Sequence, residues 1–392
     1  YNPFDSGSGV VVGDDGEILT NYHLVAGAAR LIVRGPGRPT SFDAEIIAAD
    51  PRSDLAVIVP RVAGHPGAVG LPPVALGDAA KLRPGAFLVA LGNSFNAARR
   101  DGRASASWGI LANTARRLEP AITPATGGGP VLTRRLYHHP TLLQLDSKLN
   151  LGMSGGAVIN LKGELVGLTT ASADAEGFDA RAGYAIPVDV LGRRIIEALR
   201  QGKEAEYGLL GIILDRAVTN RVRDVQAGTP AAEGKILGGD VIVRVGEIPI
   251  PDDDSLSLVL SACPPGQPIA LGIRRQDRIL EKTIVLAKFP VEGPIIATNR
   301  PAAWRGLRVD FTSLLAGSVF TQEARDAMAQ GGVVVTEVVA GSPAELAGLK
   351  KDLIITAVAG QPVHSPDEFA QAVAGNRGPV TLTTQLGSFT VK

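Results

Sequence analysis

Cysteine occurs once, at Cys263, so no disulfide can form within the chain and no cysteine cluster can hold zinc. That excludes a secreted fold stapled by disulfides. It leaves a reducing compartment or a disulfide-free protein outside the cytoplasm. Excess charge of either sign is also missing, since 39 Lys and Arg balance 39 Asp and Glu. A net charge of zero gives no general pull toward nucleic acid or an anionic membrane. Long apolar runs are absent as well. The most apolar long stretch, Leu55 to Leu76, is broken by Pro60, Arg61, His65, Pro66, Pro72 and Pro73. A spanning helix needs ~20 uninterrupted apolar residues, so this reads as a strand running into a loop. The sequence opens on Tyr1 with no signal sequence, which implies a removed targeting segment or a fragment.

What is plentiful is glycine and proline, 47 and 27 of 392 residues. That is about a fifth of the chain against a usual ~12%, and it fits many tight turns between short strands. At about 100–200 residues per domain, the length suggests two to four domains. From Ser8 to about Pro187 short apolar runs alternate with Gly, Asp and Asn. They begin at Val10, Ile18, Leu31, Leu55, Phe87, Leu142, Ala157 and Leu165. This spacing predicts an all-β barrel or sandwich, with a hairpin turn over 160–164. Residues 188–200 instead carry Val190, Leu191, Ile195, Ile196 and Leu199 at helical spacing, with Gly202 marking the end and a domain boundary.

The remainder contains an internal repeat. Residues 228–256 and 341–369 align from Gly228 onto Gly341, a shift of 113 residues. Each copy reads G-[ST]-P-A, an apolar hairpin, then a helix beginning near Ser255 or Pro366. Residues 290–302 form a Pro-containing linker between the copies.

The candidate for chemistry is Gly152-Met153-Ser154-Gly155-Gly156. A serine nucleophile needs a tight glycine-rich turn that frees backbone N–H groups for an oxyanion. The string also matches G-x-S-x-G, the nucleophile elbow of α/β-hydrolases, which requires a helix after the serine and an acid and histidine downstream. Here AVINLKGELVGL follows, a strand–turn–strand, so the elbow fails. Partners lie upstream instead. His23 sits at an apolar strand end in LTNYHLVAG, and Asp54 enters a strand in SDLAVIV. The order His, Asp, Ser within one β-rich domain is that of chymotrypsin-like proteases.

The segments SGSGVVV, TNYHLVAG, SDLAVI, LGNSFNAARR, GILAN, LQLDSKLNLGMSGGAVIN and GYAIPVDVL resemble the protease domain of the HtrA (Deg) family. The repeats resemble the PDZ domains that follow it. The resemblance implies a mainly β protein: a chymotrypsin-like double β-barrel over 1–203, PDZ domains over 204–290 and 303–392, and a linker over 291–302. It implies a serine endopeptidase acting on unfolded or damaged proteins, with His23, Asp54 and Ser154 as triad and the N–H groups of Gly152 and Ser154 as oxyanion hole. No metal or organic cofactor is required. The PDZ domains would capture C-terminal peptides through Leu210, Gly211 and Ile212 and through Gly306 and Leu307. Expected further are an extracytoplasmic location and trimers contacting through Tyr1 and Phe4.

Departures accompany the resemblance. Met153 replaces the usual Asn or Asp, while Leu151 and Ala157 stand where Pro is common. These changes are expected to loosen the loop, which keeps a catalytically dormant chaperone or a PDZ scaffold as the rival reading. The sequence begins almost at the first glycine motif, without the strand that normally precedes it, so the first barrel is expected to be incomplete as given. Lys148 occupies the position where trypsin-like enzymes carry Asp, which argues against cleavage after Lys or Arg. The pair His138 and His139 reads as a surface loop rather than a metal site. Gly7, Gly9 and Gly13 have no preceding strand for a dinucleotide loop, and GTPAAEGK over 228–235 misses the phosphate-loop spacing. Residues 310–330 form an insertion without a readable role.

Overall fold

The computed structural model describes residues 6–35, 41–61, 71–99, 102–116, 122–124, 130–132, 141–147, 149–170, 183–215, 220–316, 326, 329 and 331–392. The expectations placed on Tyr1, Phe4, His138, His139 and Lys148 lie outside these residues. The chain divides into two compact units, 1–205 with 293–300, and 206–292 with 301–392.

In the first unit the strands are β1 (Val10–Val11), β2 (Ile18–Asn21), β3 (Leu31–Arg34), β4 (Ser41–Asp50) and β5 (Leu55–Pro60), with the short helix α1 (Tyr22–Val25) after β2. They form one sheet in the order β1-β2-β5-β4, with β3 on the outer edge of β4. Its buried side packs Ile18, Tyr22, Val25, Ala49, Ala56 and Ile58. There follow β6 (Phe87–Gly92), β7 (Ser105–Arg116), β8 (Ile122–Pro124), β9 (Pro130–Leu132), β10 (Leu142–Leu145), β11 (Ala157–Ile159), β12 (Leu165–Thr170) and β13 (Gly183–Pro187). Six of these close into a barrel, β10-β13-β12-β11-β6-β7, while β8 and β9 pair with each other. Leu88, Leu111, Leu143, Leu145, Met153 and Val158 fill the barrel. Closure removes the unpaired edges that a six-stranded open sheet exposes.

Helix α2 (Val190–Arg200) ends this part of the chain. Asp189 caps it by accepting the Gly192 N–H at 2.9 Å, and Gly202 follows with φ +72°. Leu191, Ile195, Ile196 and Leu199 are its buried face.

The second unit holds both repeats. The first contains β14 (Gly208–Leu209), β15 (Ile212–Leu214), β16 (Val222–Val225), α3 (Pro230–Glu233), β17 (Val241–Val245), β18 (Ile248–Pro249), α4 (Asp253–Ala262), β19 (Pro268–Arg275), β20 (Arg278–Val285) and β21 (Ala287–Lys288). The region between the repeats departs from the expected linker. Residues Ile296–Ala297 form strand β22, antiparallel to β4 with Ile296 opposite Ala49 and Ala297 opposite Ala48. Strand β3 covers only residues 41–44 of β4, so β22 takes the free remainder of that edge. Thr298 donates its N–H and its hydroxyl to Ile47 O at 3.1 and 2.9 Å. Asn299 donates to Gly202 O and Gln201 O at 2.8 and 3.0 Å, capping the carbonyl end of α2. A two-residue pairing is too short to leave a period-2 pattern in the sequence.

The second repeat carries β23 (Leu307–Phe311), β24 (Val333–Val338), the helix Pro343–Leu346, β25 (Ile354–Val358), β26 (Gln361–Pro362), the helix Pro366–Val373, β27 (Val380–Thr384) and β28 (Gly387–Val391). Pro230 and Pro343 open the short helices, and Asp253 and Pro366 the longer ones, both pairs 113 residues apart. At the start of the 310–330 insertion, Asp310 accepts from the buried Lys288 Nζ at 2.7 Å and the Ser313 hydroxyl donates to Lys288 O at 2.7 Å. Lys288 also pairs with Glu206 at 3.0 Å, so its buried ammonium faces two carboxylates.

Candidate active site

The site starts from the pairing of β2 with β5. Asn21 lies opposite Leu55, so the residues just past Asn21 and just before Leu55 emerge at the same end of the sheet. His23 and Asp54 occupy those positions. Asp54 sits at φ +58°, a conformation few non-glycine residues adopt. Its carbonyl accepts the Tyr22 N–H at 2.9 Å and Asn21 Nδ2 at 3.1 Å. Asp50 holds the same turn by accepting the Ser53 N–H and hydroxyl at 2.8 and 2.5 Å.

The Asp54 carboxylate then reaches His23 at two places. Its oxygens lie 3.0 and 2.9 Å from Nδ1, and Oδ1 also accepts the His23 backbone N–H at 3.0 Å. Thr170 donates its hydroxyl to Oδ2 at 3.1 Å. Burial pushes the Asp54 carboxyl above the usual carboxylate range, against the opposing pull of the His23 and Thr170 hydrogen bonds. Only 2% of the Asp54 side chain is exposed, whereas 23% of the His23 side chain is. The acid is thus shielded and the imidazole partly open.

Ser154 sits in the turn between Leu151 and Gly156. Gly152 has φ +89°, and a Cβ there would lie 2.4 Å from Asn93 O; Gly155 has φ +80°, and its Cβ would lie 2.2 Å from Ser8 O. Both positions need glycine for conformation and for space. Thr169 binds the turn from β12. Its carbonyl accepts the Gly155 N–H and its hydroxyl the Gly156 N–H, both at 2.9 Å, and that hydroxyl donates to Met153 O. Consecutive residues of β12 therefore serve different groups: Thr169 holds the serine turn, and Thr170 holds Asp54. On the other side, Thr20, three residues before His23, donates to Ser8 O at 2.7 Å, and the Ser8 N–H donates to Ser154 O at 2.8 Å. The three candidate residues are joined by short bridges from Ser8, Thr20, Thr169 and Thr170. None of these four had a spacing signal, because a buried strand threonine, or a serine in the loop before a strand, looks like any other.

The N–H groups of Gly152 and Ser154 have no acceptor among the described residues. Those of the neighbours are engaged, Met153 with Asn150 O at 3.1 Å and Gly155 with Thr169 O. Two donors, one on each side of Met153, are thus left for a developing oxyanion. Among the described residues no group of three His, Cys, Asp or Glu side chains is gathered as for a metal.

Residues 7–168 match the trypsin-like peptidase domain, and residues 208–286 and 334–385 each match a PDZ domain. The periplasmic pH-dependent serine endoprotease DegQ of Escherichia coli (strain K12) is 29% identical over 98% of this chain and 79% of its own. The periplasmic serine endoprotease DegP of Salmonella typhimurium is 28% identical over 98% of this chain and 75% of its own. The solved structure of the HtrA-type protease AlgW with tripeptide has a TM-score of 0.55 at 26% identity, over 72% of this chain and 89% of that one. The chain belongs to the HtrA (Deg) family.

Within this HtrA chain the departure at Met153 has a physical account. The side chain is buried in the barrel core, so the residue before the serine is anchored by packing rather than loosened. Ala157 begins β11, opposite Leu91 and Leu168, where its small side chain is buried.

The two PDZ loops differ. In the first, Gly211 has φ +84°, Leu210 O accepts the Ala231 N–H at 2.9 Å, and Gly211 O accepts the Gln226 N–H at 3.0 Å and the Thr229 hydroxyl at 3.3 Å. The carbonyls are engaged, while the Leu210 and Gly211 N–H groups have no acceptor among the described residues. In the second, Arg305 and Gly306 have φ +49° and +83°, and Trp304 and Leu307 exchange both N–H···O bonds at 2.9 and 2.8 Å. This is a closed two-residue turn. The Leu307 N–H expected to receive a carboxylate is already donated to Trp304 O, which leaves Gly306 alone of that pair. Arg305 folds over the Trp304 ring, 4.8 Å from its centroid, and donates to the carbonyls of Val391, Asn376 and Gly378.

Proposed function

We propose that this chain is a serine endopeptidase of HtrA type that cleaves unfolded or damaged proteins outside the cytoplasm. The observation that carries the reading is the His23–Asp54 pair, bridged through Thr169 and Thr170 to a serine turn with two unengaged N–H groups. In the reaction His23 Nε2 takes the proton of the Ser154 hydroxyl as Oγ attacks the peptide carbonyl, then returns it to the leaving amine. Asp54, held on Nδ1, fixes the imidazole tautomer and stabilises the imidazolium. The Gly152 and Ser154 N–H groups receive the tetrahedral oxyanion, each worth about 2.7–4 kcal/mol of barrier in a comparable site. Water then releases the acyl group by the same relay.

The first PDZ domain captures a peptide C-terminus at Leu210, Gly211 and Ile212, the peptide adding alongside β15 as an extra strand. The relatives' periplasmic names support the extracytoplasmic location, and trimers built through the protease domain are part of the same reading. The rival, a dormant chaperone or scaffold, loses its motive once Met153 is seen packed into the core. The test is casein cleavage by the full chain. Ser154→Ala is expected to abolish it, and cleavage persisting in that variant refutes the assignment.

A further inference from the structure

Gly152 presents one of the two oxyanion donors, yet it has no side chain to hold its peptide planes. Both flanking planes are held from outside. Leu151 O, on the plane that carries the Gly152 N–H, accepts the Phe95 N–H at 2.7 Å. All peptide bonds described are trans, so tying that carbonyl directs the Gly152 N–H to the opposite side. Gly152 O, on the next plane, accepts the Ser8 hydroxyl at 2.8 Å.

Ser8 is the junction. Its hydroxyl donates to Gly152 O and accepts the Asn93 N–H at 2.7 Å, so its proton and a lone pair are both assigned. Its backbone N–H donates to Ser154 O and its carbonyl accepts Thr20 Oγ1. One residue therefore touches the start of the serine turn, the serine itself, the strand leading to His23, and the turn after β6. That last turn is strained. Phe95 and Asn96 lie at φ +50° and +57°, held by Asn93 through Nδ2 to Asn96 Oδ1 at 3.1 Å and Oδ1 to the Ala98 N–H at 3.0 Å. From this turn the Phe95 N–H reaches Leu151 O.

We propose that Ser8 is a positioning residue for peptide hydrolysis: its hydroxyl, set between the Asn93 N–H and Gly152 O, holds the serine turn in the form that presents the Gly152 N–H to the oxyanion. The inference rests on the protease reading above. It makes Ser8 act on the transition state, because the donor matters only once the oxyanion forms.

The experiment uses the full chain, a fluorophosphonate to count active sites, and a chromogenic peptide to separate kcat from KM. Ser8→Ala is expected to lower kcat per titrated site about tenfold or more, part of the 10²–10³ that loss of a whole donor costs, with KM within about twofold. Ser8→Thr, which keeps the hydroxyl, is expected to recover most of the rate. A kcat per titrated site equal to wild type overturns the proposal, as does a loss that Ser8→Thr shares in full. Should Ser8→Ala not fold, Ser8→Cys keeps the bulk but donates only weakly, and the same two results decide. A wild-type chain that takes no fluorophosphonate, with or without an added C-terminal peptide, refutes the protease reading itself. Labelled wild type with an indifferent Ser8→Ala refutes only the role of Ser8.

Discussion

Asp54 grips His23 by ring and by backbone, with carboxylate oxygens 3.0 and 2.9 Å from Nδ1 and Oδ1 3.0 Å from the main-chain N–H. An amide in its place keeps the shape but offers the imidazole a wrong partner on one side. Asp54→Asn is therefore expected to lower kcat about 10⁴-fold. Stability should move the other way. The buried carboxyl titrates above the usual range, so carrying its charge at neutral pH costs the fold, and the neutral amide removes that cost. Calorimetry at pH 7 should show an unchanged or raised Tm for the variant; a Tm lowered by several degrees contradicts this.

Thr170 is the outer partner of the same carboxylate, at 3.1 Å. A hydrogen bond to a charged group is worth about 1.5–3 kcal/mol, so Thr170→Val is expected to reduce kcat about tenfold. Thr170→Ser should retain most of the activity. Equal rates for valine and serine at this position contradict the assigned bond.

Much of this arrangement was legible in the sequence, and the gaps have reasons. The strands starting at Val10, Ile18, Leu31, Leu55, Phe87, Leu142, Ala157 and Leu165 all begin where apolar runs begin. Strand β4, SFDAEIIAAD, and strand β7, SASWGILANTAR, embed their short apolar stretches, 46–49 and 110–112, in polar residues, so neither reads as a clean apolar run. The order His, Asp, Ser was readable because each residue sits in a context of its own, His23 at an apolar strand end, Asp54 at a strand entry and Ser154 in a glycine-rich turn of the same β-rich domain. Ser8, Thr169 and Thr170 were not, because their roles depend on which groups the fold brings opposite them, backbone for Ser8 and Thr169 and the Asp54 carboxylate for Thr170. Strand β22 hid in a Pro-containing stretch whose pairing comes from an edge left free by β3, far away in the chain.

The first PDZ domain supplies a pH test. Asp240 is buried, which by itself would raise its carboxyl, but the Arg275 hydrogen bonds at 2.7 and 2.8 Å, with the Leu237 N–H and nearby cations, draw it below the usual range. A depressed acid stabilises the fold above its unfolded pKa of about 3.9, and that contribution is lost as pH falls through the folded value. Asp240→Asn should therefore lower the domain's Tm by roughly 5 °C at pH 7, with the gap to wild type closing below about pH 4. A gap that stays constant with pH removes the ion pair as its cause.

Gly211 tests the peptide loop. Its φ of +84° disfavours any side chain, and a Cβ would meet the Thr229 side chain at 2.2 Å. Gly211→Ala is expected to weaken binding of a labelled C-terminal peptide to the full chain about fivefold or more, from a strain of roughly 1–3 kcal/mol. Fluorescence anisotropy reads the affinity, and an unchanged value places capture elsewhere.

The central claim is that Ser154 is made nucleophilic by His23. Incubating the full chain with a fluorophosphonate, with and without an added C-terminal peptide, and mapping the adduct by mass spectrometry tests it most directly. The account predicts a single covalent adduct on Ser154 that disappears in His23→Ala. Absence of any adduct on Ser154 under both conditions, or equal labelling of the histidine variant, contradicts it.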